Sequence, residues 1–280
     1  TGDYTHGLVG WWKFDDGSSG TTPTTAVDSS GNGNTGTLVG GPTWVAGKIN
    51  NAISLNGTSQ GVDIPGLNLN GTYTFAGWIY VTAAPPVDGW GTLIAQSSSD
   101  GIFIAPGNVV AYWDGVIGET ASTNPITLNA WHHVAVVDNS GAVAFYLDGV
   151  PNGTATGVVG FTAGYLGTDE HNEALPGTLD DVRIYNRALS AADVWALYNR
   201  TACAGPAGAS GHLMYYADYH GAQFCDGKNW QPMGPVPGAG GSGWGGQPRR
   251  CFPAPARSSC APSAIRISTS RCFPHRAARS

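Results

Sequence analysis

The sequence is poor in charged residues. Only 11% of its 280 residues are Asp, Glu, Lys or Arg, against roughly 25% in an average soluble protein. Lysine occurs only at positions 13, 48 and 228, and glutamate only at 119, 170 and 173. Because helix-rich proteins depend on Ala, Leu, Glu and Lys, this scarcity excludes a charged helical bundle.

Cysteines and long apolar runs are missing from most of the chain. The five cysteines lie at 203, 225, 251, 260 and 272, so the first 202 residues fold without a disulfide. The absence of Cys-x-x-Cys or Cys/His spacing argues against structural zinc, and paired cysteines predict an extracellular or cell-surface location. No stretch of about 18 apolar residues predicts a membrane span, and no charged segment followed by an apolar one opens the chain.

The charge that is present is unevenly distributed. Residues 1–244 contain six Lys or Arg and 19 Asp or Glu, a net charge of −13, whereas residues 245–280 contain seven Arg and no acid, a net charge of +7. The acidic body argues against a nucleic-acid partner, because phosphate binding needs a basic face on a folded element. The arginine-rich tail has two interpretations: it binds anionic polysaccharide by charge, or it is a solubilising or artefactual segment.

Short apolar runs separated by turn signals fill residues 7–199. Asn-Gly occurs four times and Asp-Gly six times in the chain, a pattern that favours antiparallel hairpins. The runs predict strands at Leu8–Phe14, Ala52–Leu55, Gly61–Ile64, Tyr73–Val81, Trp90–Gln96, Gly101–Ile104, Val109–Trp113, Trp131–Asp138, Ala142–Leu147, Ala163–Gly167 and Gly177–Tyr185. Ser190 is predicted to cap one helix, Ala191–Tyr198. The sequence therefore predicts an all-β, two-sheet antiparallel sandwich over residues 1–200.

The composition changes after Arg200. Residues 201–234 contain two strand-like runs that predict a small ribbon, which is marginal in water by itself. A Cys203–Cys225 disulfide would close a loop of about 23 residues and contribute about 3 kcal/mol. Residues 235–280 are rich in Gly, Pro and Arg without any period, and we expect this tail to be disordered.

Seven segments of the sequence resemble the laminin-G-like branch of the concanavalin A-like lectin/glucanase superfamily. They are Gly7–Asp16, Asp28–Leu38, Gly47–Gly57, Phe75–Tyr80, Trp131–Val137, Phe145–Gly149 and Gly177–Ser190. The resemblance implies a jelly roll in which the first and penultimate segments pair. It does not decide the function, since the same sandwich carries lectins, adhesins, polysaccharide lyases and glycosidases. Cys203–Gly234 resembles a short module found at the ends of bacterial and phage surface proteins.

The resemblance also implies a structural calcium ion, held by loops from the start and end of the domain. Calcium takes six to eight oxygen ligands, usually with several carboxylates among them. The candidate ligands are Asp16, Asp28, Asn32, Asp180 and Asp181, with Asp15 beside them. In the alternative interpretation, Asp28 and Asn32 form local Asx turns, and Asp180 and Asp181 solvate a strand edge.

Aromatic residues near loops and strand ends suggest a carbohydrate ligand. Rings stack on the apolar face of a sugar while neighbouring polar groups bond its hydroxyls. The candidates are Trp90, Tyr112, Trp113, Asp114, Tyr165, His171 and Asn172. In the alternative interpretation half of these rings belong to the core, as we expect for Trp78, Trp131 and Phe145.

The sequence gives little support for catalysis. The Glu-x-Asp-x-x-Glu motif of laminarinase-type enzymes is absent, and Asp169–Glu173 is interpreted as a solvated loop or a minor metal site. A lyase would need groups such as His132, His133 and Tyr146 to converge. We therefore predict a secreted, non-catalytic carbohydrate-binding or adhesion protein. The alternatives are a surface-fibre or phage-tail subunit that assembles through its C-terminal module, and a polysaccharide-degrading enzyme.

Overall fold

The structure is a computed structural model that describes residues 6–17, 20–85, 88–96 and 100–199, together with three short strands between residues 213 and 232. The chain divides into two units, residues 1–200 and 201–280. The first unit contains sixteen strands and one helix. The strands are β1 Leu8–Trp12, β2 Thr25–Ala26, β3 Gly36–Val39, β4 Thr43–Ala46, β5 Asn51–Asn56, β6 Gly61–Leu69, β7 Thr72–Val81, β8 Gly91–Ala95, β9 Gly101–Ala105, β10 Val109–Asp114, β11 Gly118–Ala121, β12 Trp131–Asn139, β13 Ala142–Leu147, β14 Val150–Thr156, β15 Phe161–Leu166 and β16 Pro176–Tyr185, and the helix is α1 Ala191–Tyr198.

These strands form two eight-stranded antiparallel sheets. The first, which we call the helix-bearing sheet, has the order β14-β13-β12-β7-β16-β5-β4, with β1 paired to β16. The second, which we call the aromatic sheet, has the order β11-β10-β9-β8-β15-β6-β3-β2. The predicted two-sheet antiparallel sandwich is confirmed. The first of the seven segments pairs, through β1 and β16, with the last of them and not with the penultimate one.

The core lies between the two sheets and contains buried side chains from both. Trp12, Phe75 and Phe145 of the helix-bearing sheet and Tyr112 and Leu166 of the aromatic sheet are fully buried in it. Since successive strand residues point to opposite faces, the residues between these core positions face outward.

Every predicted strand is present, but the structure contains five more: β2, β3, β4, β11 and β14. Strand β14 has the sequence Val-Pro-Asn-Gly-Thr-Ala-Thr, whose Pro151 and Asn152-Gly153 are turn signals. It forms a strand nonetheless because it lies at the edge of its sheet. An edge strand has a neighbour on one side only, so it tolerates a proline, which has no backbone N–H to donate.

Helix α1 covers part of the outward face of the helix-bearing sheet. Ser190 caps it as predicted, since its side chain accepts a hydrogen bond from the Asp193 N–H and the Asp193 carboxylate accepts one from the Ser190 N–H. Val194 and Leu197 pack against a second apolar cluster on this face, formed by Ala76, Ala135, Val137 and Tyr185. In the described part of the chain, no helix is long and apolar enough to cross a membrane.

The second unit contains three strands, β17 Leu213–Tyr216, β18 Gly221–Cys225 and β19 Trp230–Pro232, in one antiparallel sheet. The predicted Cys203–Cys225 disulfide stays a prediction, because Cys203 lies outside the described residues. Residues 235–280, the arginine-rich tail for which the sequence predicts disorder, lie outside the described residues as well.

Candidate functional site

A single row of residues crosses the outward face of the aromatic sheet. Cross-strand pairing connects, in order, Thr37, Asp63, Tyr165, Ala95, Gly101, Trp113 and Glu119. Residues paired directly across strands project from the same face of a sheet. This face is the outward one, because the sequence neighbours Leu166, Ile94, Ile102 and Tyr112 belong to the core.

The middle of this row is a low floor between two aromatic side chains. Tyr165 and Trp113 are partly exposed, and three strand spacings, roughly 14 Å, separate them. Ala95 and Gly101 lie between them and have the smallest side chains. A Cβ at Gly101 would collide with the Ile94 carbonyl oxygen, so the strands approach closely there. Ala95 and Gly101 are themselves buried, so the accessible surface of this region, which we call the trough, is formed by the aromatic side chains.

Trp90 extends the aromatic wall at Trp113. Its ring lies 5.7 Å from the Trp113 ring and 5.7 Å from the Phe103 ring, both in edge-to-face arrangements. Phe103 is buried beneath, whereas Trp90 and Trp113 remain partly exposed. Edge-to-face packing fixes the rings without covering their outer surfaces.

Acidic side chains surround the trough. Asp63 and Glu119 are exposed members of the row itself, and Glu170 lies next to the Tyr165 hydroxyl. Slight desolvation and the carboxylates of Glu170 and Asp63 raise the pKa of Tyr165 above its ordinary value. The phenol is therefore neutral at physiological pH and is able to donate a hydrogen bond.

The loop at residues 169–173 forms one end of this region. The Thr92 N–H donates a 2.8 Å hydrogen bond to the Glu173 carbonyl, which attaches the loop two residues after Trp90. Asp169 is buried, and its Oδ1 accepts hydrogen bonds from the backbone N–H groups of His171 (2.9 Å) and Glu173 (3.0 Å). Asp169 therefore organises the loop from inside, while Glu170, His171 and Asn172 are exposed, as the interpretation of a solvated loop expects.

The carboxyl groups of this loop influence each other. Burial of Glu173, together with the neighbouring Asp169 carboxylate, raises the pKa of Glu173 to about 7. The imidazole Nδ1 of His171 lies 3.8 Å from Asp169 Oδ2. Near neutral pH, Glu173 therefore changes its charge beside the trough.

Two predicted ligand-binding residues lie inside the protein. Tyr112 is fully buried, and its hydroxyl donates a 2.8 Å hydrogen bond to the Val159 carbonyl. The Asp114 carboxylate is also buried and accepts hydrogen bonds from the N–H groups of Val116, Ile117 and Val159. The prediction is wrong for both residues, because strand alternation turns Tyr112 inward while Asp114 caps the turn after β10.

The residues considered for a lyase do not converge. His132 Nδ1 lies 2.8 Å from Asp148 Oδ2, and its Nε2 lies 2.8 Å from the Thr127 hydroxyl. His133, the next residue of β12, points to the opposite face and is buried against Trp78. Burial lowers the pKa of His133 to about 4, so this ring is neutral at physiological pH.

The first candidate calcium ligand, Asp28, forms hydrogen bonds with the chain itself. The Asp28 carboxylate accepts hydrogen bonds from the backbone N–H groups of Trp11 (3.0 Å), Ser30 (2.8 Å) and Asn34 (2.8 Å) and from the Ser30 hydroxyl (2.8 Å). Burial acts to raise its pKa, but these hydrogen bonds prevail and lower it. Asp28 therefore shapes the loop, as the Asx-turn interpretation describes.

Two further candidates make similar contacts. The Asn32 amide donates hydrogen bonds to the carbonyls of Leu8 and Val9. Asp16 Oδ2 accepts a 2.8 Å hydrogen bond from the Val27 N–H.

Asp180 differs from the other candidates because part of its carboxyl group has no partner. It is fully buried; its Oδ2 accepts a 2.8 Å hydrogen bond from the Ile49 N–H, whereas its Oδ1 has no hydrogen-bond partner. Burial, and then the neighbouring carboxylates of Asp181 and Asp15, raise its pKa to about 9. The side chain is therefore either a neutral acid or the ligand of a cation.

Asp181 is turned by a bulge in β16, where its φ is +50°. Its Oδ1 accepts hydrogen bonds from the Trp11 indole N–H (2.6 Å) and from Arg183 Nη2 (2.8 Å). Within the described ranges, no three His, Cys, Asp or Glu side chains are placed to hold a metal ion together. The five predicted ligands thus do not form one site, and Asp180 is the member that fits a cation, since its buried oxygen is available.

Comparison with known proteins places the fold in a family. Residues 56–195, half of the chain, match a laminin-G family model described as the concanavalin A-like lectin/glucanases superfamily. The chain belongs to this superfamily. A segment of 109 residues, 34% of the chain, is 29% identical to adhesion G-protein coupled receptor V1 of Danio rerio and spans 2% of that receptor's length.

Several solved structures have a similar fold. Domain 4 of the extracellular arabinanase AbnA from Geobacillus stearothermophilus, solved with arabinotriose, is 24% identical with a TM-score of 0.58, and the match covers 68% of this chain and 98% of that one. The binding domain of Paraclostridial Mosquitocidal Protein 1 is 19% identical with a TM-score of 0.54, covering 78% and 63%. Trypanosoma rangeli sialidase is 15% identical with a TM-score of 0.51, covering 69% and 32%. At these identities the similarity establishes the fold alone.

Proposed function

We propose that this domain binds carbohydrate through the outward face of the aromatic sheet and acts outside the cell as a lectin-like or adhesion module. The observation that carries the proposal is the set of three partly exposed aromatic side chains in the trough, Trp90, Trp113 and Tyr165, above the buried Ala95 and Gly101. The C–H face of a sugar ring stacks on such side chains, and the exposed polar residues at the rim provide hydrogen-bond partners for its hydroxyls.

The relatives support a binding role in an extracellular setting. The arabinanase domain with this fold was solved with arabinotriose, and the receptor that shares sequence with this chain is an adhesion receptor. Both proteins act at or outside the cell surface by their names, which agrees with the location that the cysteine pattern predicts. The proposed function nevertheless rests on the trough, since the family includes several activities.

A non-catalytic role is part of the proposal. The carboxyl pair at the loop end of the trough is Asp169 and Glu173, and burial together with the Asp169 carboxylate raises the pKa of Glu173. Asp169 also holds two backbone N–H groups of its own loop, which makes it a structural residue.

The test is a glycan array that includes arabino-oligosaccharides, followed by calorimetric titration of the best ligand. We expect Trp113→Ala and Tyr165→Ala each to weaken binding by about tenfold or more, because each removes a stacking surface. Trp131→Ala is the matched control, since Trp131 is also partly exposed but packs on Tyr80 in the helix-bearing sheet. Equal losses in the control, or no glycan bound, would contradict the proposal. If the protein releases reducing ends from the ligand, it is an enzyme, and the non-catalytic part of the proposal is wrong.

We also propose that a calcium ion binds at Asp180. The support is the fully buried Oδ1 without a partner, next to the carboxylates of Asp181 and Asp15. Without a cation, this buried carboxyl group is neutralised by a proton; a bound calcium ion would neutralise it instead. The ion would also connect the residue 47–50 loop to β16.

The calcium proposal is tested by thermal unfolding with calcium and with excess chelator. We expect chelation to lower the melting temperature of the unmodified protein but not that of Asp180→Asn. Asp63→Asn, which removes an exposed carboxylate, should respond to chelation as the unmodified protein does. If chelation changes nothing in any of the three, Asp180 is a neutral acid and the proposal is wrong.

A further inference from the structure

The basic residues of the described sandwich all lie on one side. The four Lys and Arg within the described residues up to 199 are Lys13, Lys48, Arg183 and Arg187. Lys13 and Arg183 stack on Trp11 at 4.2 and 4.1 Å from its ring centroid, and Lys48 stacks on Trp78 at 4.6 Å. Arg187 lies 3.2 Å from Asp193 of α1. All four belong to the helix-bearing sheet or to segments that pack on it.

The aromatic sheet carries the opposite charge. Its exposed row contains Asp63 and Glu119 at two ends, and Glu170 contacts Tyr165 between them. Asp88 precedes Trp90, and its charge reaches Glu173, so further carboxylates lie at the loop end of the trough. Among the described residues, only the exposed His171 brings a possible positive charge to this region, and it lies beside Asp169.

We infer that this face selects neutral oligosaccharides and rejects those that carry carboxylates, such as sialylated or uronic-acid glycans. The inference rests on the proposed function, because it names the ligand class of the same trough. Asp63 lies one strand spacing, roughly 5 Å, from Tyr165, and Glu119 lies one strand spacing from Trp113. Each aromatic side chain therefore has a carboxylate within one Debye length, roughly 8 Å at physiological salt, and lies in its negative potential. An anionic sugar that stacks between Tyr165 and Trp113 enters that potential with no lysine or arginine of the described sheet face to offset it.

The same carboxylates favour uncharged sugars. A carboxylate accepts hydrogen bonds from hydroxyl groups, and such charge-assisted bonds are stronger than those between neutral groups. Asp63 and Glu119 are exposed on the trough's own row, so hydroxyls of a sugar that spans the row meet an acceptor near each end. If a hydroxymethyl group of such a sugar is oxidised to a carboxylate, the sugar loses a hydrogen-bond donor and gains a negative charge that the carboxylates of Asp63 and Glu119 repel.

The experiment compares matched pairs of ligands that differ only in charge. Galacto-, gluco- and manno-oligosaccharides are titrated alongside the same oligosaccharides oxidised at C6 to carboxylates, at pH 7.5 in low salt and in 0.5 M salt. We expect the best neutral ligand to bind about tenfold more tightly than its oxidised form in low salt, with the gap narrowing in high salt because the repulsion is screened.

Two variants connect the selectivity to named residues. Asp63→Asn and Glu119→Gln should narrow the gap, whereas Asp16→Asn, which lies outside the aromatic row, should leave it unchanged. Tighter or equal binding of the oxidised forms, or a gap that ignores salt and both variants, would overturn the inference while leaving carbohydrate binding intact. Failure of every neutral and oxidised ligand to bind would remove the proposed function and the inference with it.

Discussion

The outward faces of the two sheets both carry tryptophan, but the contacts of its ring differ between them. On the helix-bearing sheet, Trp11 is partly exposed, the Lys13 and Arg183 cations lie over its ring, and its indole N–H donates a hydrogen bond to Asp181. On the aromatic sheet, Trp90 and Trp113 are also partly exposed, and their rings contact each other while Trp90 contacts Phe103. The tryptophan of one face is therefore paired with cations, whereas the tryptophans of the other face are packed on aromatic rings.

The source of the difference is what packs on each face. Helix α1 and the residue 47–50 loop cover the helix-bearing sheet and bring Tyr198 and Lys48 against Trp78. No helix in the described residues packs on the aromatic sheet. A function assigned to aromatic residues in this fold thus has to be assigned face by face, and each of the following experiments tests whether the two faces differ as described.

The largest effect is expected for Arg183→Met. The Arg183 and Asp181 side chains are 3% and 10% exposed and pair at 2.8 Å. Removing the guanidinium leaves the buried Asp181 carboxylate without its charged partner, so we expect a loss of about 3–5 kcal/mol in the free energy of unfolding. Urea denaturation measures this loss.

Arg187→Met is the control for that substitution, because its pair with Asp193 is more exposed and should contribute less than about 1 kcal/mol. Similar small losses for both arginines would show that the charges of the helix-bearing sheet do not hold it together.

The next effect concerns pH and His133. Its pKa is lowered by burial to about 4, while an unfolded chain takes up this proton near pH 6.5. The contribution of neutral His133 to the free energy of unfolding is therefore fully present above pH 6.5. It is lost as the pH falls toward 4, which lowers the free energy of unfolding by about 3 kcal/mol over that window. We expect His133→Phe to show a smaller loss of unfolding free energy than the unmodified protein between these two pH values.

Asp180 acts in the opposite direction, since its raised pKa makes the folded state weaker as the pH rises from 3.8 towards about 9. The comparison of His133→Phe with the unmodified protein at each pH cancels this contribution. An unchanged pH profile would mean that His133 is protonated in the folded protein.

Ser190→Ala should destabilise the helix that covers the helix-bearing sheet by about 1 kcal/mol, since it removes one half of the capping box. Hydrogen exchange should increase in α1 and not in the aromatic sheet. Ser190→Asp keeps a capping oxygen and should restore most of the stability. Increased exchange across both sheets would show that the helix supports the whole sandwich and not one face.

The smallest effect is expected on the aromatic sheet itself. Asp63→Asn and Glu119→Gln change exposed side chains, so each should alter the free energy of unfolding by no more than about 0.5 kcal/mol. Denaturation of the two variants checks this value. A loss of several kcal/mol would assign these carboxylates to structure and weaken their role in ligand selection.

Much of the fold was predictable because its signals are local. The ten Asn-Gly and Asp-Gly turns and the alternating runs between them predicted the strands, and Ser190 predicted the helix start. Strand β14 was missed since its turn residues are tolerated only at a sheet edge, and edge position depends on the order of strands in the sheet.

The candidate site was predictable only in part. Trp90, Trp113 and Tyr165 were identified from the sequence, but so were Tyr112 and Asp114, which are buried. Alternation along β10 separates Tyr112 from Trp113, and the sequence alone does not say which of the two faces inward. Asp63 and Glu119 were not considered, because their place in the row depends on pairing across seven strands.

The sequence by itself determined that this protein is an acidic, turn-rich sandwich of antiparallel strands, because strand alternation, turn chemistry and net charge are properties of neighbouring residues. Only the tertiary structure decided which outward face is covered and which is open. Arg183 meets Trp11 through the pairing of β16 with β1, and Lys48 meets Trp78, although the two residues of each pair are far apart in the chain. Strand pairing likewise leaves the carboxylates and bare aromatic rings together on the other sheet.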